Sequence, residues 1–225
     1  MLSVATFVAA PLLARPDEKA APKAETKTFE VGNNVTLEIR GEIRRVMLSA
    51  SVCLREGPLE MFLCRTNTKE HEAIVHVDTD ARLIHTALLA AGAKPGTTVK
   101  WEPKYQPATG SVIKVSVRYT ENDKEVTRPA QDWVRVMKTK KPMTHDWVFA
   151  GSMFFDNPDD PTKKFYAANS GDVICVSNFE TALLDLPVNS PKDNDELQFE
   201  AFTERIPRLG TKVMVILEPL PDKKK

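Results

Sequence analysis

Short apolar runs, separated by prolines and turn residues, constrain the fold of this chain most strongly. Apolar and polar residues alternate along 35–41, where Val35, Leu37 and Ile39 lie on one face, and similar runs follow to the end of the chain. Alternation with a period of two is typical of half-buried strands. The 16 prolines lie mostly between the runs, as expected for strands, because proline cannot donate a hydrogen bond to a neighbouring strand. The sequence therefore predicts an α+β, mainly antiparallel β fold.

The same pattern places the individual strands. Glu56-Gly57-Pro58 is a turn signal, so we expect a hairpin between the two runs that flank it. The predicted strands are 35–41, 44–54, 59–65, 71–78, 97–101, 111–120, 125–130, 132–137, 146–155, 163–169, 172–178, 196–202 and 212–219.

One amphipathic helix is predicted at about 80–91. Apolar residues recur with helical spacing at Leu83, Ile84, Ala87, Leu88 and Ala91, Asp80 is a suitable N-cap, and Gly92 can end the helix.

A hairpin followed by a strand occurs near Ala50 and again near Gly151, which is compatible with two related lobes, 29–110 and 111–220. Chance resemblance between alternating runs is the alternative explanation.

The first residues differ from the rest of the chain. Leu2–Ala14 carries no charge and is too short to span a bilayer as a helix, but it fits the apolar core of a signal peptide. We therefore predict a signal peptide at 1–14 and export to a periplasmic or extracellular location, with a chance apolar tail as the alternative. The remaining predicted segments are a flexible tether at 15–28, the domain at 29–220 and a basic tail at 221–225, and no later run reaches transmembrane length.

Charge and cysteine content exclude several functions. Lys plus Arg and Asp plus Glu both number 31, and this balance argues against nucleic acid as the main partner. Cys53, Cys64 and Cys175 are too few for an iron–sulfur cluster. In the predicted hairpin, Cys53 and Cys64 face each other across the two strands. Export would favour a disulfide between them, whereas two free thiols are the alternative.

No catalytic residue is assigned from sequence motifs. The chain has no G-x-S-x-G and no glycine-rich phosphate loop. The best candidate for a functional site is the segment Lys69-Glu70-His71-Glu72, because titratable side chains are concentrated there after a turn. These four residues are the candidate ligand-binding site, and His71 and Glu72 could hold a divalent metal. The alternative is a solvated loop edge; no other cofactor is expected, and the partner is an unidentified ligand or protein.

Several motifs resemble one known family. Residues 68–72, 146–152, 174–179 and 203–207, with the predicted helix, are similar to the YdjY domain family over about 35–219. The resemblance implies an exported bacterial protein of essentially unknown function, and we expect a non-enzymatic binding or structural module. The alternative is a metal-dependent or hydrolytic enzyme that uses Glu70, His71 and Glu72. Some relatives carry cysteine clusters and are described as ferredoxin-like, but the dispersed cysteines of this chain do not support electron transfer.

Overall fold

The structure is a computed structural model that describes residues 25–157, 160–193 and 196–221. The predicted signal peptide at 1–14 lies outside the described residues, as do most of the tether and nearly all of the basic tail. Within the described part, no helix is long and apolar enough to cross a bilayer.

The described chain is mainly β-structure with one α-helix, which confirms the predicted fold class. The helix, α1, is Ala81–Ala90. The strands are β1 Thr26–Gly32, β2 Val35–Arg40, β3 Ile43–Val52, β4 Met61–Arg65, β5 Ala73–Val77, β6 Val112–Glu121, β7 Lys124–Pro129, β8 Val134–Val136, β9 Trp147–Phe149, β10 Phe154–Asn157, β11 Asp160–Tyr166, β12 Ile174–Cys175, β13 Leu184–Asp185, β14 Phe199–Ala201 and β15 Lys212–Pro219.

Eight of these strands close into a ring. Their order is β3, β15, β6, β9, β13, β12, β4 and β5, and β5 pairs again with β3. Strands β2 and β1 extend the sheet from β3, and β7 extends it from β6. Strand β15, from the C-terminal half, pairs with both β3 and β6. The segments 29–110 and 111–220 therefore share one sheet instead of forming separate sheets.

The core consists of apolar side chains on one face of the closed sheet. The largest of them are aromatic: the ring centroids of Phe62 lie 6.3 Å from Trp133 and 5.9 Å from Trp147, and all three side chains are fully buried. Aromatic contacts in tilted geometry add to the free energy of burying their surface. The strand residues that carry these side chains therefore face the core, and the residues that alternate with them along each strand point to the outer face of the sheet.

Helix α1 has the predicted position and caps. The side chain of Asp80 accepts a hydrogen bond from the backbone N–H of Arg82, and Gly92 adopts φ +91°, a conformation that favours glycine. The face that carries Ile84 and Leu88 is buried against β1, β2 and β3. Helical periodicity and end signals agree here, which is why the prediction is confirmed.

The predicted hairpin of 44–54 and 59–65 is wrong, because β5 lies between β3 and β4. Strand β5 is antiparallel to β3 and parallel to β4. The turn at Gly57-Pro58 pairs elsewhere: Pro58 forms a bridge with Glu200, and the N–H of Leu59 donates to the carbonyl of Phe199. Residues 66–72, the return segment, carry the chain from the end of β4 back to the start of β5.

Other predicted strands are shorter or absent. Residues 97–101 form a single bridge, Lys100 to Gln106, because the neighbouring prolines cannot donate to a ladder. The predicted strand 146–155 is interrupted where Gly151 and Ser152 take positive φ values of 94° and 56°, so β9 and β10 are separate. The predicted strands at 132–137, 172–178 and 196–202 shrink to the two or three residues of β8, β12 and β14.

Candidate functional site

A groove of about 570 Å³ crosses the outer face of the sheet where β15, β3 and β5 lie side by side. We call it the Ser51 groove. Its volume is within the usual range for small-molecule sites. It is lined by Asn34, Ser49, Ala50, Ser51, Thr66, His76, Asp78, Lys212, Val213 and Met214.

Three polar side chains form one row across the Ser51 groove. Lys212 is opposite Ser51 in the β15–β3 register, and Ser51 is opposite His76 in the β3–β5 register. Residues directly opposite on antiparallel strands place their side chains on the same face. The Lys212 ammonium donates to the Ser51 hydroxyl at 3.0 Å. A cation, a hydroxyl and an imidazole therefore line the groove from three different strands.

The groove also contains two opposite charges that do not neutralise each other. Among residues 25–157, 160–193 and 196–221, Lys212 has no carboxylate partner, and the Asp78 carboxylate has neither an ion pair nor a hydrogen bond. The carbonyl of Asp78, in contrast, accepts from the side-chain amides of Asn33 and Asn34 at 2.8 and 2.9 Å. The backbone at Asp78 is thus held in place while its charge remains available to a ligand.

Glu70, from the predicted cluster, supports this groove from the return segment. Its carboxylate accepts from the N–H groups of Asn67 and Thr68 at 2.6 and 3.0 Å and lies 3.2 Å from Nδ1 of His76. Burial acts to raise the pKa of Glu70, but the hydrogen bonds from Asn67 and His76 outweigh it, and the pKa is lowered. Glu70 therefore orients the imidazole of His76 and leaves Nε2 for a ligand.

The other three predicted residues are turned away from Glu70. The His71 side chain is 76% exposed, and its Nε2 lies 3.7 Å from a Glu72 oxygen. Lys69 and Glu72 join Glu60 and Asp172 in what we call the Lys69 cluster. Among the described residues, no group of three or more His, Cys, Asp or Glu side chains is arranged to hold a metal ion. The pair His71 and Glu72 thus has no third ligand of these types.

Lys69 is surrounded by three carboxylates. Its Nζ lies 3.0 Å from Asp172, 3.5 Å from Glu72 and 3.7 Å from Glu60, and 4.3 Å from the ring centroid of Phe179. Burial acts to lower the pKa of Lys69, but Asp172 outweighs burial and the pKa is raised. Burial, followed by the neighbouring Glu72, raises the pKa of Glu60 from 4.5 to about 7. The Lys69 cluster ties the return segment to the loop before β12.

The two cysteines of the predicted pair do not face each other across a hairpin, because β5 lies between β3 and β4. The Cys53 thiol lies 3.1 Å from the carbonyl oxygen of Ala73 and shares a hydrogen bond with Cys64, which is the main reason that its pKa is raised, with burial second. Both are free thiols in this structure, as is the fully buried Cys175. The disulfide between Cys53 and Cys64 stays a prediction.

A closed, mainly antiparallel sheet with one helix and a groove on its outer face defines a β-rich domain with a small-molecule-sized site. The family model of the YdjY domain matches residues 34–218, so the chain belongs to the YdjY domain family. No curated protein and no solved structure matches the chain.

Sequence reasoning missed most of the Ser51 groove. Ser51, Asp78 and Lys212 belong to no motif, and the strand pairing brings Ser51 and Lys212 together from opposite ends of the chain. One signal was present: the alternation along 44–54 places Ser49 and Ser51 on the polar face of that strand. That signal does not identify β15 and β5 as the neighbouring strands.

Proposed function

We propose that this YdjY domain is an exported, non-enzymatic binding module whose ligand lies in the Ser51 groove. The observation that carries the proposal is the groove itself, which is lined by polar side chains from three strands and contains two charges that have no oppositely charged partner among the described residues. Ligand sites combine a concave surface with a few well-placed polar groups, and the groove has both properties.

The contacts within the groove give no support to a serine nucleophile activated by histidine. Such a serine needs a hydrogen bond to the imidazole, but in the described chain the hydroxyl of Ser51 bonds to Lys212 and no hydrogen bond joins it to His76. The alternative enzyme, based on Glu70, His71 and Glu72, loses support because Glu70 contacts His76, whereas Glu72 lies beside His71 and Lys69. A binding role needs no such convergence.

The test is an NMR screen of the 15N-labelled protein against water-soluble amino acids, sugars, nucleosides and organic acids. We expect at least one compound to shift the amide resonances of Ser51, His76 and Asp78. Ser49→Trp should fill the groove and abolish these shifts, whereas Thr120→Trp, on an exposed part of β6, should preserve them. The proposal fails if no compound shifts these resonances, or if Ser49→Trp leaves the shifts unchanged.

Export is proposed from the uncharged segment Leu2–Ala14. The mass of the protein isolated from its native host should correspond to a chain that begins near residue 15 in the exported fraction. An intact N-terminal Met in the cytosolic fraction would contradict export and leave the binding proposal unaffected.

A further inference from the structure

The charges of the Ser51 groove indicate the class of its ligand. We infer that the groove binds a small zwitterion that carries one ammonium and one carboxylate, the class of free amino acids and short peptides; this inference rests on the proposed function. The groove presents one cation, Lys212, and one carboxylate, Asp78, neither of which has an oppositely charged partner among the described residues. Its electrostatic complement therefore carries both signs.

The strand geometry sets the distance between the two charges. The Lys212 ammonium lies over Ser51, which is opposite His76, and Asp78 is two residues beyond His76. With a strand spacing of about 4.8 Å and a rise of about 3.4 Å per residue, the positions of Ser51 and Asp78 are about 8 Å apart. This is a distance between backbone positions, and the two flexible side chains extend from them into the groove. One small molecule whose ammonium and carboxylate are a few bonds apart can therefore contact both through charge-assisted hydrogen bonds, as an α-amino acid or a short peptide does.

The neighbouring polar groups match the same arrangement. At the Lys212 end, the hydroxyl of Ser51 and the free Nε2 of His76 can bond a carboxylate. At the Asp78 end, Asn34 uses its side-chain N–H₂ to bond the carbonyl of Asp78, which leaves its side-chain oxygen to accept from an ammonium. The hydroxyl of Thr66 also lines the groove and can accept a second N–H of the ligand.

Ligands of a single sign fit less well. A simple anion that contacts Lys212 is repelled by the uncompensated Asp78, and a simple cation that contacts Asp78 is repelled by Lys212. A binding site discriminates between related ligands by combining groups that attract the correct ligand with groups that repel the others. The groove should therefore prefer a zwitterion over the same molecule with either charge removed.

The test uses four probes in NMR titrations: L-alanine, N-acetyl-L-alanine, L-alaninamide and dialanine. We expect L-alanine or dialanine to bind about tenfold more tightly than either blocked form, since each blocked form loses one charged hydrogen bond. The tighter of the two shows whether free amino acids or peptides are preferred, and either result supports the inference.

Charge-removing variants assign each end of the ligand. Asp78→Asn should abolish the preference of the groove for L-alanine over N-acetyl-L-alanine. Lys212→Gln should abolish the preference of the groove for L-alanine over L-alaninamide. Both side chains are exposed, so circular dichroism should be unchanged. Lys114→Gln, an exposed cation on the outer face of β6, is the matched control and should leave all affinities unchanged.

Two outcomes would overturn the inference in distinguishable ways. Groove resonances that shift equally with L-alanine and both blocked forms would refute the zwitterion but retain a binding groove. If neither these probes nor any compound of the wider screen shifted the groove resonances, the proposed function would fail together with the inference.

Discussion

Glu60→Gln should stabilise the protein at about pH 8 and have little effect at about pH 4.5. Glu60 lies in the Lys69 cluster with its side chain 15% exposed, 3.7 Å from the Lys69 ammonium. Burial and the neighbouring Glu72 raise its pKa from 4.5 to about 7. Ionised Glu60 is thus disfavoured in the folded protein, and Gln has nearly the same shape without the charge.

The size of the effect follows from proton linkage. Between pH 4.5 and about 7 the folded state binds more protons at Glu60 than the unfolded state, so stability falls as the pH rises through this window. The difference between 4.5 and about 7 corresponds to about 3 kcal/mol at 1.36 kcal/mol per pKa unit. Because the Glu60 side chain remains 15% exposed, water screens part of this energy, and we expect a gain of about 2 kcal/mol for the single replacement.

Urea denaturation of both proteins at about pH 8 and about pH 4.5 measures this gain. Glu42→Gln, on the exposed turn between β2 and β3, is the control and should leave stability nearly unchanged at both pH values. The reasoning is refuted if Glu60→Gln destabilises the protein at pH 8, or if its effect is the same at both pH values.

Two further predictions concern the return segment and the cysteines. Glu70→Ala should lower the free energy of unfolding, measured in urea, by about 1–3 kcal/mol, because the N–H groups of Asn67 and Thr68 lose their acceptor. His71→Ala should change the free energy of unfolding little. A larger loss for His71→Ala than for Glu70→Ala would contradict the structure. If the predicted disulfide forms, oxidation of the native protein with oxidised glutathione should begin at the partly exposed Cys53, join it to Cys64 and leave one free thiol per denatured chain. Three free thiols would exclude the disulfide.

Local signals in the sequence predicted individual elements well, but strand neighbours poorly. Helix α1 follows from periodicity, a capping residue and a glycine within about a dozen residues, all of which are local. The alternation at 35–41 predicted β2 for the same reason. The hairpin of β3 and β4 failed because a turn signal does not show whether another strand will insert between its two arms. Here β5 inserts between them, and the loop at Gly57 bonds to Ala201 instead.

The candidate site was partly predictable for the same physical reason. The concentration of charge at 69–72 pointed to the return segment, and the structure places Glu70 from this segment beside His76. Sequence spacing did not show that Lys69 would pair with both Glu72 and Asp172, or that His71 would face solvent. Lys212 could not be assigned, because it reaches Ser51 across 161 positions of sequence through strand pairing alone.

The position of β15 determines when this fold can form during synthesis. Residues 212–219 emerge from the ribosome after β1–β14, the other strands of the described residues, yet they fill the space between β3 and β6. Until then both strands keep an unpaired edge, and the ring that encloses the core stays open. A nascent chain that ends before residue 212 should therefore remain without a closed core, and folding should begin only after translation has passed residue 219. The long sequence separation of these contacts also predicts slow folding, so we expect the core to close only after synthesis of β15.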